Sequence, residues 1–225
     1  MNFSKYILII VTLVSLSVSC TKKEEKPPDP VTDIEGNTYK TVRIGLQIWM
    51  AENLKTTKFN DGTSIAPVAD SIAWRNLATP GYCMYNKNDT AYKRTYGLLY
   101  NAYTADSGKV CPTGWHLPGI EEWQQLSDFL ADSIEGGGKL KETGTTHWMT
   151  PNRGATNITG FSALPAGIRY FEGSFTAILY YTAFWSASAS GNEEEGYSSL
   201  YYGDAKVNMG HVSKKHGFSI RCVKD

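Results

Sequence analysis

The sequence predicts an α+β domain of short antiparallel strands, glycine-rich loops and at least one packed helix at about 119–134. Three observations predict it. Apolar and aromatic segments of five to eleven residues alternate with glycine turns over much of the chain, as short strands do. One stretch carries a sustained helical period of apolar residues. The composition, with 21 glycines, 14 tyrosines, 8 phenylalanines and 6 tryptophans, suits a loop-rich β-containing domain.

Residues 1–19 read as a leader. "MNFSKYILIIVTLVSLSVSC" has one early lysine, the apolar run Tyr6–Leu16 and small residues up to Cys20, the order of an export signal. The run is too short to span a hydrocarbon core about 30 Å thick. Its end, "LSVSC", resembles the lipobox of bacterial lipoproteins, with Leu16 one place further from the cysteine than usual. That resemblance implies a lipidated Cys20 and attachment to a membrane through it. Residues 20–31 then form a tether, since "TKKEEKPPDP" has no apolar side chain to offset the entropy of ordering. Lys23-Glu24-Glu25 resembles the short charged signal of surface lipoproteins in Bacteroidota. It implies the outer membrane and its cell-surface side, with the periplasmic face as the alternative.

The remaining segment, 32–225, is long enough for one domain with a substantial core. Its opening stretch, "TDIEGNTYKTVRIGLQIWMAENL", predicts a turn at Glu35-Gly36-Asn37 and then a hairpin around Gly45-Leu46-Gln47. Asp61-Gly62 marks another turn, and 66–95 lacks any period and is expected to meander as loop. "TYGLLYNAYTA" at 95–105 fits a strand followed by a helical turn. At 119–134, Ile120, Trp123, Leu126, Leu130 and Ile134 make one apolar face. Pro118 stands before it, Glu121 and Glu122 complement the helix dipole, and Gly136-Gly137-Gly138 is expected to end the segment. Beyond Lys139 come short strands, with the glutamates of 192–195 expected at a solvated hairpin tip.

Charge and motifs remove several functions. The 22 basic side chains balance 22 acidic ones, which leaves no electrostatic footprint for nucleic acid. The four histidines show no H-E-x-x-H spacing, and C-x-x-C and D-x-D-x-D-G are missing, so no metal site or cofactor is expected. No nucleophile elbow or phosphate loop occurs, and no catalytic residue is assigned. His116 with Glu121 and Glu122 has the residue types of an acid/base pair, but glutamates opening a helix need no catalytic reason and His116 reads as structural. Three cysteines follow Cys20, namely Cys83, Cys111 and Cys222, and one bridge among them allows three pairings.

The segments "DIEGNTYKTVRIGLQIWMAENL", "YGLLYNAYTA…CPTGWHLPGIEEWQQL" and "GFSALPAGIRY…FWSAS…GFSIRCVKD" together resemble the Fibrobacter succinogenes major paralogous domain. The resemblance covers nearly all of 32–225 and implies a bacterial surface or secreted protein with a C-type-lectin-like fold. It implies that the last strand returns beside the opening strands, that a helix packs over the sheet, and that Cys222 bridges Cys111. Cys83 is then the leftover thiol, or an alternative partner for either. Leu117 to Trp123 is similar to an element of formylglycine-generating enzymes, but their paired late cysteines are missing, as are the calcium and sugar motifs of C-type lectins.

What remains is aromatic. Trp74, Trp148, Tyr180, Tyr181, Tyr197, Tyr201 and Tyr202 lie in loops or alternating segments, where rings serve either as core or as stacking surfaces. Trp148, Tyr181 and Tyr202 are taken as the candidate ligand platform. The expectation is noncatalytic recognition or adhesion, with a glycan or an envelope protein as partner; an enzyme using the variable loops, or a purely structural role, are the alternatives.

Overall fold

A computed structural model describes residues 26–85, 90–130 and 135–225. The leader, Cys20, the first part of the tether and Ile134 lie outside the described residues. β1 (Val31–Thr32) and β2 (Thr38–Tyr39) pair around the expected turn. β3 (Thr41–Ile44) and β4 (Gln47–Met50) form the predicted hairpin. Gly45 turns it with φ +61°, and a Cβ there would meet the Phe129 ring at 2.9 Å, so both backbone and space demand glycine.

The stretch expected to meander, 66–95, instead holds four short elements. They are β5 (Ala66–Pro67), α1 (Ser71–Asn76), β6 (Gly81–Cys83) and α2 (Thr90–Tyr96). None is long enough to impose a period. Local chemistry and distant contacts hold them: Asp70 accepts the Ala73 N–H at 2.8 Å, and buried Trp74 of α1 carries the Arg169 guanidinium 4.5 Å from its ring. β7 (Leu99–Tyr100) and α3 (Ala102–Ala105) are the expected strand and helical turn.

After β8 (Trp115–His116) comes the predicted helix, α4, which spans Ile120–Phe129 and caps at Leu130 rather than running on to the glycines. Gly136-Gly137-Gly138 opens a separate helix, α5 (Gly136–Leu140). Close approach explains these glycines, because a Cβ would lie 2.2 Å from the Lys206 oxygen at Gly137 and 2.1 Å from the Gly154 oxygen at Gly138. The first turn of α4 has an acceptor that local sequence does not show: Ser188 Oγ takes the Ile120 N–H at 2.7 Å, while Glu122 reaches back to the Gly119 N–H at 2.9 Å.

Five strands then build the main sheet: β9 (Ala166–Arg169), β10 (Phe175–Ile178), β11 (Tyr181–Ser190), β12 (Glu194–Tyr201) and β13 (Asn208–Ser213). Their spatial order is β10-β9-β11-β12-β13. Gly191 to Glu194 at the β11–β12 turn are exposed as expected, but Glu195 is buried. A register shift between Ser186 and Ser190 leaves the Ser188 N–H donating to the Glu195 carboxylate at 2.8 Å, and Lys214 lies 3.7 Å from its other oxygen.

The C-terminal segment ties the sheets together. Gly217 bridges Arg169, Phe218 bridges Tyr100, and Ser219 bridges Phe184. β14 (Val223–Lys224) then enters between β4 and β8, completing the order β3-β4-β14-β8. Cys222 is bonded to Cys111, closing 111 residues of sequence, and Cys83 is a buried free thiol whose pKa burial pushes up to about 12.

Two apolar clusters flank the main sheet. One gathers Tyr100, Trp185, Phe218 and Ile220, and the other Trp49, Trp123, Phe161 and Phe184 under α4. Three buried cations fasten loops to this core by donating to carbonyls. Arg169 reaches Val68, Ala69, Asp70 and Gly173; Arg221 reaches Phe161 and Ser162; Lys141 Nζ reaches Arg153, Tyr201 and Asp204. Desolvation lowers the Lys141 pKa to about 8 and that of Arg221 to about 9, so the carbonyl cages replace only part of the lost hydration.

Candidate functional site

At one end of the main sheet, tyrosines from neighbouring strands line a cleft of about 350 Å³. The register places Tyr181 of β11 opposite Tyr201 of β12, and Tyr197 lies four residues before Tyr201 on the same face. Tyr197 stands opposite Gly210 of β13, where a Cβ would come 3.2 Å from its ring. Tyr170, just after β9, and Tyr180, in the turn before β11, close the sides.

That turn is unusual. Ala177 has φ +61° and Leu179 φ +70°, left-handed conformations that disfavour residues with a side chain and persist only where tertiary contacts impose them. Leu179 N–H donates to the Pro165 oxygen and its carbonyl accepts from Met149, while Tyr180 N–H closes onto Ala177 and Tyr202 N–H onto Tyr180. The result is that Tyr180 is 39% and Tyr201 40% exposed, with Tyr170 at 41%. Rings this open on one concave wall are available to a ligand, unlike the fully buried aromatics of the core.

His216 and Phe218 complete the lining. His216 is buried against the rings of Tyr170, Phe171 and Phe218. Desolvation lowers its pKa, against the opposing pull of the Ser213 carbonyl, so the ring is neutral at pH 7. Its Nδ1 lies 3.1 Å from the Ser213 oxygen, which can only accept. The proton is therefore on Nδ1, leaving Nε2 as an acceptor. Tyr181 is half-buried and desolvation raises its hydroxyl pKa to about 12, so it stays a neutral donor and acceptor. The cleft is uncharged, aromatic and hydroxyl-bearing, a surface for stacking and hydrogen bonding rather than for moving protons.

Of the three residues proposed for a platform, the structure brings one into the cleft. Tyr181 lines it. Tyr202 is half-buried behind it, edge-on to Tyr180 at 5.1 Å and to Tyr201 at 4.7 Å, and so braces two of the lining rings. Trp148 must be corrected: it is 1% exposed in the α4-side core, and its indole N–H donates to the Ala163 oxygen at 2.9 Å. Trp74 is likewise core. Tyr170 and His216 belong to the cleft but carry no local pattern, because the loops holding them reach it only through the bridge between Arg169 and Gly217.

The residues of 111–123 make a clasp. His116 Nδ1 lies 2.7 Å from Asp225 Oδ1, and Nε2 lies 3.0 Å from Glu122 Oε1. Burial pulls the His116 pKa down, but hydrogen bonds to Asp225 and then Glu122 outweigh it and the net shift is upward. With both nitrogens occupied and Glu122 also holding the Gly119 N–H, the group links the last residue to the start of α4. No cluster of three metal-ligating side chains occurs among the described residues.

One family model matches the chain. The Fibrobacter succinogenes major domain matches residues 42–224. The chain belongs to that family. No curated protein and no solved structure matches the chain significantly. Within this Fibrobacter succinogenes major domain, the matched segment includes the β3–β4 hairpin, α4, the main sheet and the returning β14, and therefore every residue lining the cleft.

Proposed function

We propose that the protein is a noncatalytic recognition module of the bacterial cell surface, anchored in the outer membrane by lipidated Cys20, and that the tyrosine cleft binds a glycan. The cleft carries this reading. Open aromatic rings stack on the apolar C–H faces of sugars, and hydroxyls and a neutral imidazole exchange hydrogen bonds with sugar hydroxyls. Its volume of about 350 Å³ suits one or two sugar units and falls at the low end of small-ligand sites, roughly 300–1,000 Å³. The absence of charge from the lining favours a neutral saccharide over an acidic one.

We also assign the domain to the C-type-lectin-like fold. The return of β14 between β4 and β8, α4 over the main sheet and the bridge from Cys222 to Cys111 support that assignment.

A glycan array probed with the purified chain, followed by calorimetry on the hits, tests the binding reading. Tyr201→Ala and Tyr180→Ala should each lower affinity about tenfold or more while leaving the near-UV circular dichroism intact, as removal of a stacking anchor does. Binding that survives both substitutions would place the ligand elsewhere. For the anchor, Cys20→Ala should abolish fatty-acid incorporation and membrane fractionation; unchanged fractionation would defeat it.

A further inference from the structure

On another part of the surface, three large apolar side chains are open to solvent. Leu46, at the tip of the β3–β4 hairpin, is 98% exposed, Phe129 at the end of α4 is 61% exposed, and Ile158 is 79% exposed. Leu46 and Phe129 share the walls of two shallow depressions of about 650 and 440 Å³, and Thr159, next to Ile158, lines the first. This face is rigid. The Phe129 ring rests on Gly45, Gln47 Nε2 donates to the Glu122 carbonyl at 3.1 Å, and Trp49 and Trp123 pack beneath at 4.7 Å. Isolated exposed apolar residues are ordinary, but a fixed group around one hairpin tip is not.

The course of the tether identifies what faces it. Lys26, Pro27 and Pro28 line the same 650 Å³ depression as Leu46 and Phe129. Thr41 Oγ1 donates to the carbonyls of Pro28 and Asp29, at 3.1 and 3.0 Å, which pins the tether to the start of β3. From Lys26 back to Cys20 is six residues, a reach of at most about 20 Å even fully extended. We propose that Leu46, Phe129 and Ile158 form a membrane-contact face that seats the domain on the lipid surface holding its own N-terminus. This rests on the reading of Cys20 as the lipid anchor. Leucine and phenylalanine at an interface insert to the headgroup–acyl boundary, about 5–10 Å deep, which the hairpin tip can do without unfolding. The domain would then lie in one orientation instead of swinging on its tether.

The test uses Leu46→Cys and Asn192→Cys chains carrying an environment-sensitive fluorophore, on vesicles containing nitroxide-labelled phosphatidylcholine. Asn192 is exposed in the β11–β12 turn, near Ser188 and the N-terminal end of α4, whereas Phe129 marks the opposite end of that helix. Cys83 is buried and Cys111 and Cys222 are bridged, so the label goes to the introduced cysteine. One arm uses the chain purified from membranes. The other uses the chain from residue 20 with Cys20→Ser, held on chelating-lipid vesicles by an N-terminal hexahistidine.

We expect quenching at position 46 to exceed that at 192 about threefold or more in both arms, since only an inserted side chain meets the nitroxides. Phe129→Ser should bring the ratio toward one. Equal quenching at 46 and 192 in the tag-held arm overturns the contact face, even if the native chain is anchored. A native chain that stays soluble while the tag-held chain shows the contrast defeats lipidation alone and leaves the lipid affinity of the face standing.

Discussion

On one face of the main sheet, Phe184 and Leu200 lie beneath α4, with Trp123 stacked on Phe184 at 5.5 Å and 25°. On the other face of the same two strands, Trp185 is covered by Phe218 at 4.5 Å and donates its N–H to the Tyr100 oxygen at 2.7 Å. Yet four residues before Trp185 in β11, Tyr181 pairs with Tyr201 of β12, and both line the cleft. The covering segment decides the difference. The C-terminal segment pairs edge-to-edge with β11 through Ser219, lays the Phe218 ring on Trp185, and then leaves toward Leu54 and Met50, so the Tyr180 and Tyr201 rings at the strand ends stay open. The closed face holds the fold, and the open end of the other can be remodelled at little cost in stability.

Four outcomes break or sharpen this contrast. Replacing both Cys111 and Cys222 by alanine should have the largest effect, because the bridge closes a span of 111 residues. The chain-entropy relation gives about 4–5 kcal/mol, read from the urea midpoint, with real bridges at or below that figure. Trp123→Ala opens the closed face and should cost about 3–5 kcal/mol in the same measurement. Tyr201→Ala, at the open end, should change stability by less than about 1 kcal/mol. A cost like that of Trp123→Ala would mean that the cleft is core rather than site.

The smallest effects come from two histidines with opposite shifts. His116 has a raised pKa when folded, so its stabilisation is full below the unfolded value near 6.5 and declines as pH rises through the folded value. The half-exposed position of its ring holds that contribution below about 1 kcal/mol. His216 has a lowered pKa, so the unfolded chain binds more protons below pH 6.5 and stability declines as pH falls there. Between pH 5 and 7.5, below the Lys141 pKa of about 8, the melting temperature should therefore lose its decline with rising pH in His116→Gln and its decline with falling pH in His216→Gln. Loss of the wrong limb in either variant would contradict the assigned environments.

Much of this was legible in the residues themselves. The period through Ile120, Trp123, Leu126 and Leu130, the Gly45 turn and the alternation in 181–201 each encode an element by local chemistry, and they specify an α+β domain. Tyr181 was legible as a candidate because alternation places one of two adjacent tyrosines on each face. Trp148 was misread because a tryptophan between turns carries no mark of which contacts await it. The elements of 66–95 escaped because two to seven residues cannot show a period. Only the tertiary structure decided which aromatics stay open, since that depends on where residues 217–224 run, more than a hundred positions from Tyr100 and Met50, with which they pair. Local sequence determined the opening hairpin, the start of α4 and the alternation of β11 and β12. The cleft exists because a distant segment lays Phe218 on Trp185, walls one side with His216, and leaves the rings at the strand ends open.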